Sequence, residues 1–443
     1  MKKLIQTIKN IWSIEELKNR ILLTLGLILI YRIGSFIVLP GIDPHRLDAI
    51  AEQEGLLGLI NMFAGGAFSN ASILALGVMP YISASIFMQL AGIIIPQFAK
   101  LQKEESGRKK MTQYTRYLTV IVTLFQSAAY IAYLKTSVGH AIVYDGPLFL
   151  IATVTILTAG TLFVMYLGEK ITDNGIGNGV SMLIMIGILA RLPQSFGLEF
   201  AAKLENDQMI FFIIELALFV AIIMGIIVLT QGVRKIPLQY ARLIRGSNAA
   251  KEISGGSRNF IPLKVNSAGV MPIIFAQALM FIPAMFAGFS TSSEAANSFL
   301  MDLSDYTSWQ YNLIYAILVI LFTYFYTSLI FNPTDMADNL KRNNSFIPGV
   351  APGQPTADYI YTVMDRITLP GSIFLAIAGI MPGIAALFGV TNGFASFYGG
   401  TSMLIGVAVI LDTLQQIESH LLMRHYDGLM KTGRVSSRQG VGV

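Results

Sequence analysis

The chain has 443 residues, 54% of them hydrophobic and 13% charged, with a net charge of +5, no cysteine and a mean hydropathy of +0.61. Soluble domains carry about 25% charged residues, so this composition excludes an ordinary water-soluble fold. The absence of cysteine excludes disulfides, thiol catalysis and cysteine-ligated metals, and the four scattered histidines (His45, His140, His420, His425) share no helix face, so no metal site is expected.

The N-terminal segment 1–20 is basic (Lys2, Lys3, Lys9, Lys18, Arg20) and leads into an apolar stretch, 21–39. That stretch is too long for a signal-peptide core and no Ala-x-Ala pattern follows, so it reads as a retained first span. Nine further segments approach the roughly 20 apolar residues that a span needs. They lie near 71–95, 115–134, 148–167, 178–192, 209–230, 268–288, 311–331, 369–390 and 401–422. The fifth is short, with Gly175, Gly177 and Gly179 at its start.

Between the first two spans the chain turns acidic after Pro40-Gly41, then apolar from Leu56 to Phe68, broken by Gly65-Gly66. About 13 residues do not cross a bilayer. Such a piece either lies at the interface or folds back into a protein-lined cavity, where irregular backbone is tolerated. Two later segments, 231–264 and 332–368, exceed what a connector needs. The first holds seven basic residues against the single acid Glu252. Membrane orientation alone accounts for basic residues there, and a docking surface for an acidic or nucleic-acid-bearing partner is the sharper reading.

Charge tests the ten-span arrangement. Of the 31 Lys and Arg, 26 fall on one side, 4 on the other, and Arg32 lies inside the first span. Cytoplasmic loops hold the excess of Lys and Arg, so both termini, including the tail 423–443, face the cytoplasm. Two spans open with the same four residues 192 positions apart, Gly77-Val78-Met79-Pro80 and Gly269-Val270-Met271-Pro272. Five spans fall in each half, 21–192 and 193–422. An odd number per repeat inverts the second copy, an arrangement that builds a path at the bilayer midplane.

Charges within the spans are few: Arg32 and Glu215 near external ends, Asp412 and Glu418 in the last span. No midplane cluster of acids points to ion coupling, which weighs against an ion-coupled secondary transporter, the alternative occupant of a five-plus-five inverted repeat. Neither a His-Glu-x-x-His zinc motif, a Gly-x-Ser-x-Gly elbow nor a phosphate loop is present, so no catalytic residues and no cofactor are expected. Energy for any work across the membrane has to come from a partner. The second span does carry uncharged polar residues, Tyr81, Ser83, Ser85 and Gln89, and the seventh has Asn266 and Gln277. These serve helix packing or suit helices that part and rejoin, with Gln89 and Asn266 a candidate pair.

Several motifs together carry a resemblance. They are Arg32-Ile-Gly-Ser-Phe with Pro40-Gly-Ile-Asp43, Met62-Phe-Ala-Gly-Gly-Ala-Phe-Ser-Asn-Ala-Ser72 running into Gly77-Val-Met-Pro-Tyr-Ile-Ser-Ala-Ser85, and Glu105-Ser-Gly-Arg-Lys-Lys110 with Gln113-Tyr-Thr-Arg-Tyr117. Further on come Gly175-Ile-Gly-Asn-Gly179, Pro262-Leu-Lys-Val-Asn266, Phe331-Asn-Pro-Thr-Asp335 with Ala337-Asp-Asn-Leu340, and Tyr398-Gly-Gly-Thr-Ser402. In this order they closely resemble the SecY family, channel subunits of the bacterial Sec protein translocon, over nearly the whole chain.

The resemblance implies an all-α polytopic membrane protein. Ten transmembrane helices form two inverted five-helix halves around an hourglass pore, with a re-entrant plug helix at about 57–70. By position it places an apolar pore ring at Val78, Ile82, Val180, Ile184, Ile274 and Ile405. The plug would include Leu57, Ile60, Met62, Phe63, Gly65, Gly66 and Phe68. A lateral gate between the second and seventh spans maps to Ser83, Gln89, Asn266 and Ile282. The long cytoplasmic loops correspond to docking sites for the ribosome and the motor ATPase SecA, here through Arg234, Lys235, Arg242, Arg245, Lys251, Arg258, Lys341, Arg342 and Arg366. The family commonly carries a basic residue where this chain has Ala351, and Lys341, Arg342 and Arg366 lie near enough in sequence to compensate. The resemblance further implies small SecE-like and SecG-like membrane subunits, residence in the bacterial cytoplasmic (inner) membrane, and unfolded secretory and membrane-protein substrates. A lateral gate would release the apolar segments of such substrates into membrane lipid.

Overall fold

A computed structural model describes residues 12, 14–46, 61, 64–138, 141–143, 146–240, 259–287, 305 and 307–432. Its long helices follow the apolar segments in chain order: α1 (Glu15–Gly34), α2 (Met79–Ile94), the short α3 (Pro96–Lys103), α4 (Glu105–Val138), α5 (Pro147–Asn174), α6 (Gly179–Glu205) and α7 (Met209–Gln231). After a β-hairpin come α8 (Met271–Ala287), α9 (Trp309–Ile330), α10 (Pro333–Arg342), α11 (Gln354–Leu387), the single turn α12 (Asn392–Ala395) and α13 (Gly400–Thr432). Ten of these helices stand where ten spans are expected. Among the described residues, seven helices are long and apolar enough to cross a membrane.

The two shortest of the ten, α2 with 16 residues and α8 with 17, are the pair opened by the repeated tetrapeptide. Gly77 and Gly269 both take left-handed backbone, φ +53° and +67°. A side chain is strained there, and a right-handed helix does not run through such a residue. Pro80 and Pro272 then sit in the first turn, where a missing N–H costs nothing. The second span, expected from 71, therefore becomes helical only at Met79.

Other boundaries move outward. Helix α6 runs on to Glu205 through Pro193, where its span was expected to stop near 192. Beyond the helix breaker, Phe196 and Phe200 of α6 pack against Phe212 of α7, tilted and edge-on, with ring centroids 5.5 and 5.6 Å apart. Helices α4 and α11 each have 34 residues, about 51 Å at 1.5 Å per residue, well beyond a hydrocarbon core of about 30 Å.

The described parts of the long segments 231–264 and 332–368 are not loose loops, and the all-α expectation omits a small sheet. Strand β1 (Val233–Tyr240) pairs antiparallel with β2 (Asn259–Lys264), Lys235 opposite Pro262, and its far end pairs with β3 (Ser345–Phe346). Ile236 and Leu238 point inward while Lys235, Pro237 and Gln239 point outward, the period of two that a half-buried strand requires. Ile236, Leu238 and Leu263 form one core with Ile347 and with Ile360 and Met364 of α11, covered by Met336 and Leu340 of α10. The described parts of both long segments thus share a common apolar centre.

The described residues divide into two compact units, one comprising 12–46, 61–191 and 409–432, the other 192–408. In the first unit, buried positions of α5 recur every three or four residues (Phe149, Thr153, Leu157, Gly160, Val164), the signature of a packed helix face. Thr115, Thr119 and Thr123 of α4 each donate to the carbonyl four residues earlier at 2.6–2.9 Å, so their hydroxyls need no partner from outside the helix.

Candidate functional site

The best-defined polar construction in the first unit surrounds the segment before α2. Residues 64–77 are a succession of turns, mostly buried, with Ala64, Ala67 and Ala71 at 1% exposure or less. The segment expected as a plug helix is, over these residues, tightly turned non-helical chain. Gly65 and Gly66 explain why: both have positive φ, +64° and +90°, so the chain reverses there.

Irregular backbone at membrane depth has to be satisfied by protein. Here Leu39 N donates to Ala71 O at 2.8 Å and Ile73 N to Ile37 O at 2.9 Å, a strand-like pairing with the chain leaving α1. Asn61 Oδ1 accepts from Ser69 N at 3.0 Å. Three helices of the same unit supply further donors. Arg32 Nη1 of α1 donates to Gly65 O at 2.9 Å, Tyr130 OH of α4 to Phe68 O at 2.8 Å, and Arg191 Nη2 of α6 to Ser69 Oγ at 3.2 Å. The Phe68 ring packs 4.7 Å from Tyr130 and 5.5 Å from Tyr133. Of the expected plug residues, Gly65, Gly66 and Phe68 are brought together here, while Leu57, Ile60, Met62 and Phe63 lie outside the described residues. Arg191 and Tyr130 were not anticipated; a charge at the end of an apolar span and a tyrosine inside one were the available signals.

None of the six ring positions is exposed. Val78, Ile82, Val180 and Ile184 belong to the first unit, with Val78 and Ile184 each 5% exposed. Val78 and Ile82 are one turn apart at the start of α2, Ile82 N donating to Val78 O at 3.1 Å, and Val180 and Ile184 are one turn apart on α6. Ile274 and the buried Ile405 belong to the second unit.

The gate positions are equally divided. Ser83 Oγ donates to Met79 O within α2 at 3.1 Å and Gln89 Nε2 to Ser85 Oγ at 3.4 Å. In the second unit Asn266 Oδ1 is buried with no hydrogen-bond partner among the described residues. Ile282 is in α8, and its side chain lies outside the described residues.

The Gly175–Gly179 motif turns out to be a backbone connection held by side chains of one unit. Thr24 Oγ1 accepts from Ile176 N at 3.1 Å, Gln416 Oε1 from Gly177 N at 2.8 Å, and Thr172 Oγ1 from Gly179 N at 2.9 Å.

On the sheet, α10 and α11, the residues Arg234, Lys235, Lys341, Arg342 and Arg366 are all exposed. Lys235 Nζ lies 4.6 Å from the Phe260 ring centroid. Asn332 caps α10 by accepting from Thr334 N at 3.2 Å, and Lys341 and Arg342 occupy its last turn, where cations suit the helix dipole. Arg242, Arg245, Lys251 and Arg258 lie outside the described residues.

Sequence reasoning missed a buried ionic cluster in the second unit. Lys203 of α6 places Nζ 2.8 Å from Glu215 Oε1 of α7, 3.6 Å from Glu199 Oε1 and 3.0 Å from Gly389 O. Glu199 also accepts from both the N–H and the hydroxyl of Thr391. Glu215, expected near an external end of its span, is 9% exposed and paired. The cause is the longer α6, whose extension beyond 192 carries Glu199 and Lys203 one turn apart.

The SecY family model matches residues 72–414 of the chain. The protein translocase subunit SecY of Mycobacterium bovis is 40% identical over 437 residues, spanning 94% of this chain and 97% of that relative. Among solved structures, one described as a protein conducting channel matches with a TM-score of 0.61 at 16% identity, covering 95% of each chain. A second, from work on the plug domain of SecY stabilising the closed state of the translocation channel, matches with a TM-score of 0.60 at 17% identity, again over 95% of each.

Proposed function

The chain belongs to the SecY family, and from that membership we propose how this multi-pass, non-enzymatic channel subunit conducts unfolded polypeptide. The observation that carries the reading is the turned segment 64–77, seated among α1, α4 and α6 by backbone and side-chain hydrogen bonds. In the resting channel that segment is the plug. The ring of Val78, Ile82, Val180, Ile184, Ile274 and Ile405 closes a narrow apolar neck, which excludes ions because water does not wet it. Aliphatic side chains yield to a passing chain and close around it, so the neck passes peptide with little accompanying leak.

A lateral gate between α2 and α8 sorts substrates. A segment of about 20 apolar residues gains on the order of several kcal/mol by entering hydrocarbon, whereas a polar one stays in the pore. Both helices are short and follow a left-handed glycine, so each pivots at its own start. Ser83, Gln89, Asn266 and Ile282 line that gate. The pore supplies no energy of its own. The exposed basic residues of the cytoplasmic sheet and α10 dock the ribosome or SecA, SecE-like and SecG-like subunits complete the channel, and both termini lie on the cytoplasmic side of the bacterial inner membrane.

Reconstitution tests this. The full chain with its co-purifying membrane subunits, in proteoliposomes supplied with SecA and ATP, should import a secretory precursor and stay electrically tight at rest. Import that persists when the chain is omitted, or a tight resting state after deletion of residues 61–72, would count against the reading.

A further inference from the structure

One face of α6 carries two ring residues and the seat of the plug together. Val180, Ile184, Gly187 and Arg191 follow at spacings of four, three and four, which places them in one stripe along three turns. Gly187 forms a notch for the plug: a Cβ on Gly65 would lie 2.8 Å from Gly187 Cα and 2.8 Å from Arg32 Nη1. One turn beyond the notch, Arg191 reaches Ser69 Oγ at 3.2 Å, and its Nε lies 3.4 Å from where a Gly66 Cβ would sit. From α1, Arg32 grips Gly65 O at 2.9 Å.

Both guanidiniums are half-buried, and among the described residues neither is ion-paired to a carboxylate. A cation withdrawn from water needs acceptors. The plug provides them, the Gly65 carbonyl within the Gly65-Gly66 reversal and the Ser69 hydroxyl three residues beyond it. Hydrogen bonds to charged donors are the stronger kind. One contact falls on backbone and the other on a serine hydroxyl, so substitutions among the plug's apolar side chains leave both acceptors in place.

We propose that Arg32 and Arg191 are positioning residues that latch the plug, and that α6 ties this latch to the ring. A polypeptide entering the neck presses on Val180 and Ile184. Displacing that stripe withdraws Gly187 and Arg191 from Gly65 and Ser69, so ring opening and plug release are one motion. The proposal rests on the plug and ring assignments above.

The chain has no cysteine, so a single thiol introduced by Ala67→Cys, at a position with 0% exposure, reports plug departure through its labelling rate with a membrane-impermeant maleimide. The assay uses the full chain with its co-purifying subunits in proteoliposomes, with resting ion conductance recorded in parallel. Arg32→Met and Arg191→Met should each speed labelling about tenfold or more. Arg→Lys at either site should give intermediate rates, since charge is kept and the planar fork lost. Gly65→Ala, which leaves both arginines intact, should speed labelling by pushing the turn out of its notch. Ile184→Asn should speed it through α6.

Should a methionine variant fail to reach the membrane, the lysine variants and Gly65→Ala carry the test. Labelling at the parent rate in the arginine variants, while deletion of 61–72 makes the channel leak, overturns the latch and leaves the channel reading standing. A deletion that leaves the channel tight overturns the plug assignment itself. Fast labelling in Arg191→Met with parent-rate labelling in Ile184→Asn overturns the link between ring and latch.

Discussion

Lys203→Met should be among the most destabilising single changes outside the translocation path. The lysine is 5% exposed; its ammonium donates to Glu215 Oε1 at 2.8 Å and Gly389 O at 3.0 Å, and lies 3.6 Å from Glu199 Oε1 as an ion pair. Methionine keeps most of the apolar stem, so packing is nearly conserved and the loss is electrostatic. Breaking a buried pair by removing one partner costs about 3–5 kcal/mol, because the remaining charge is left uncompensated. Losing the Gly389 carbonyl's donor adds about 1 kcal/mol. For a unit the size of residues 192–408, about 2 °C per kcal/mol gives a fall of about 8–12 °C in the thermal midpoint. The assay is thermal aggregation of the purified protein in detergent.

The double variant Lys203→Met, Glu215→Gln should recover much of that fall, since one of the two stranded charges is gone, and Glu215→Gln alone should cost less than Lys203→Met. A Lys203→Met midpoint within about 2 °C of the parent, less than 1 kcal/mol on the same scale, would refute the reasoning. So would the absence of coupling between the two substitutions in the double-mutant cycle.

Other consequences concern the path and its docking surface. Ile82→Asn or Ile274→Asn makes the neck wettable, so resting conductance of reconstituted channels should rise; unchanged conductance in both removes the ring assignment. Gln89→Leu and Asn266→Leu should shift the closed–open balance of the gate, seen as altered translocation of precursors with weak signal sequences against an unaltered rate for strong ones. Reversing charge at Arg234, Lys235 and Arg366 together should weaken ribosome binding and flatten its salt dependence while leaving resting conductance unchanged. Equal salt slopes for parent and variant would place docking elsewhere.

Periodic and compositional features translated directly into structure. The apolar segments gave the ten helix positions, because a span is a local property: about 20 residues of hydrocarbon-compatible side chains whose backbone bonds close within the segment. The repeated Gly-Val-Met-Pro likewise acts through its own backbone, and Gly77 and Gly269 adopt the same left-handed turn in their separate contexts. The motifs that carried the family resemblance were readable for the same reason, being short contiguous strings.

What local sequence did not contain were partners distant along the chain. Pro193 looked like the end of a span, yet α6 stays helical to Glu205, where Phe196 and Phe200 pack on Phe212 and Phe196 on Phe394. That extension then brings Glu199 and Lys203 to Glu215 and Thr391, a cluster that no single window of sequence contains. The β1–β2 pair needed Ile347, Ile360 and Met364, about a hundred residues away, to bury its inner face. The turned segment 64–77 shows the division most plainly. Gly65-Gly66 announced a chain reversal, but whether it lay at an interface or in a seat depended on Arg32, Tyr130 and Arg191 arriving from three different helices. Helix formation is settled by neighbours within a few residues, whereas satisfying buried charge and irregular backbone requires groups that only folding brings together.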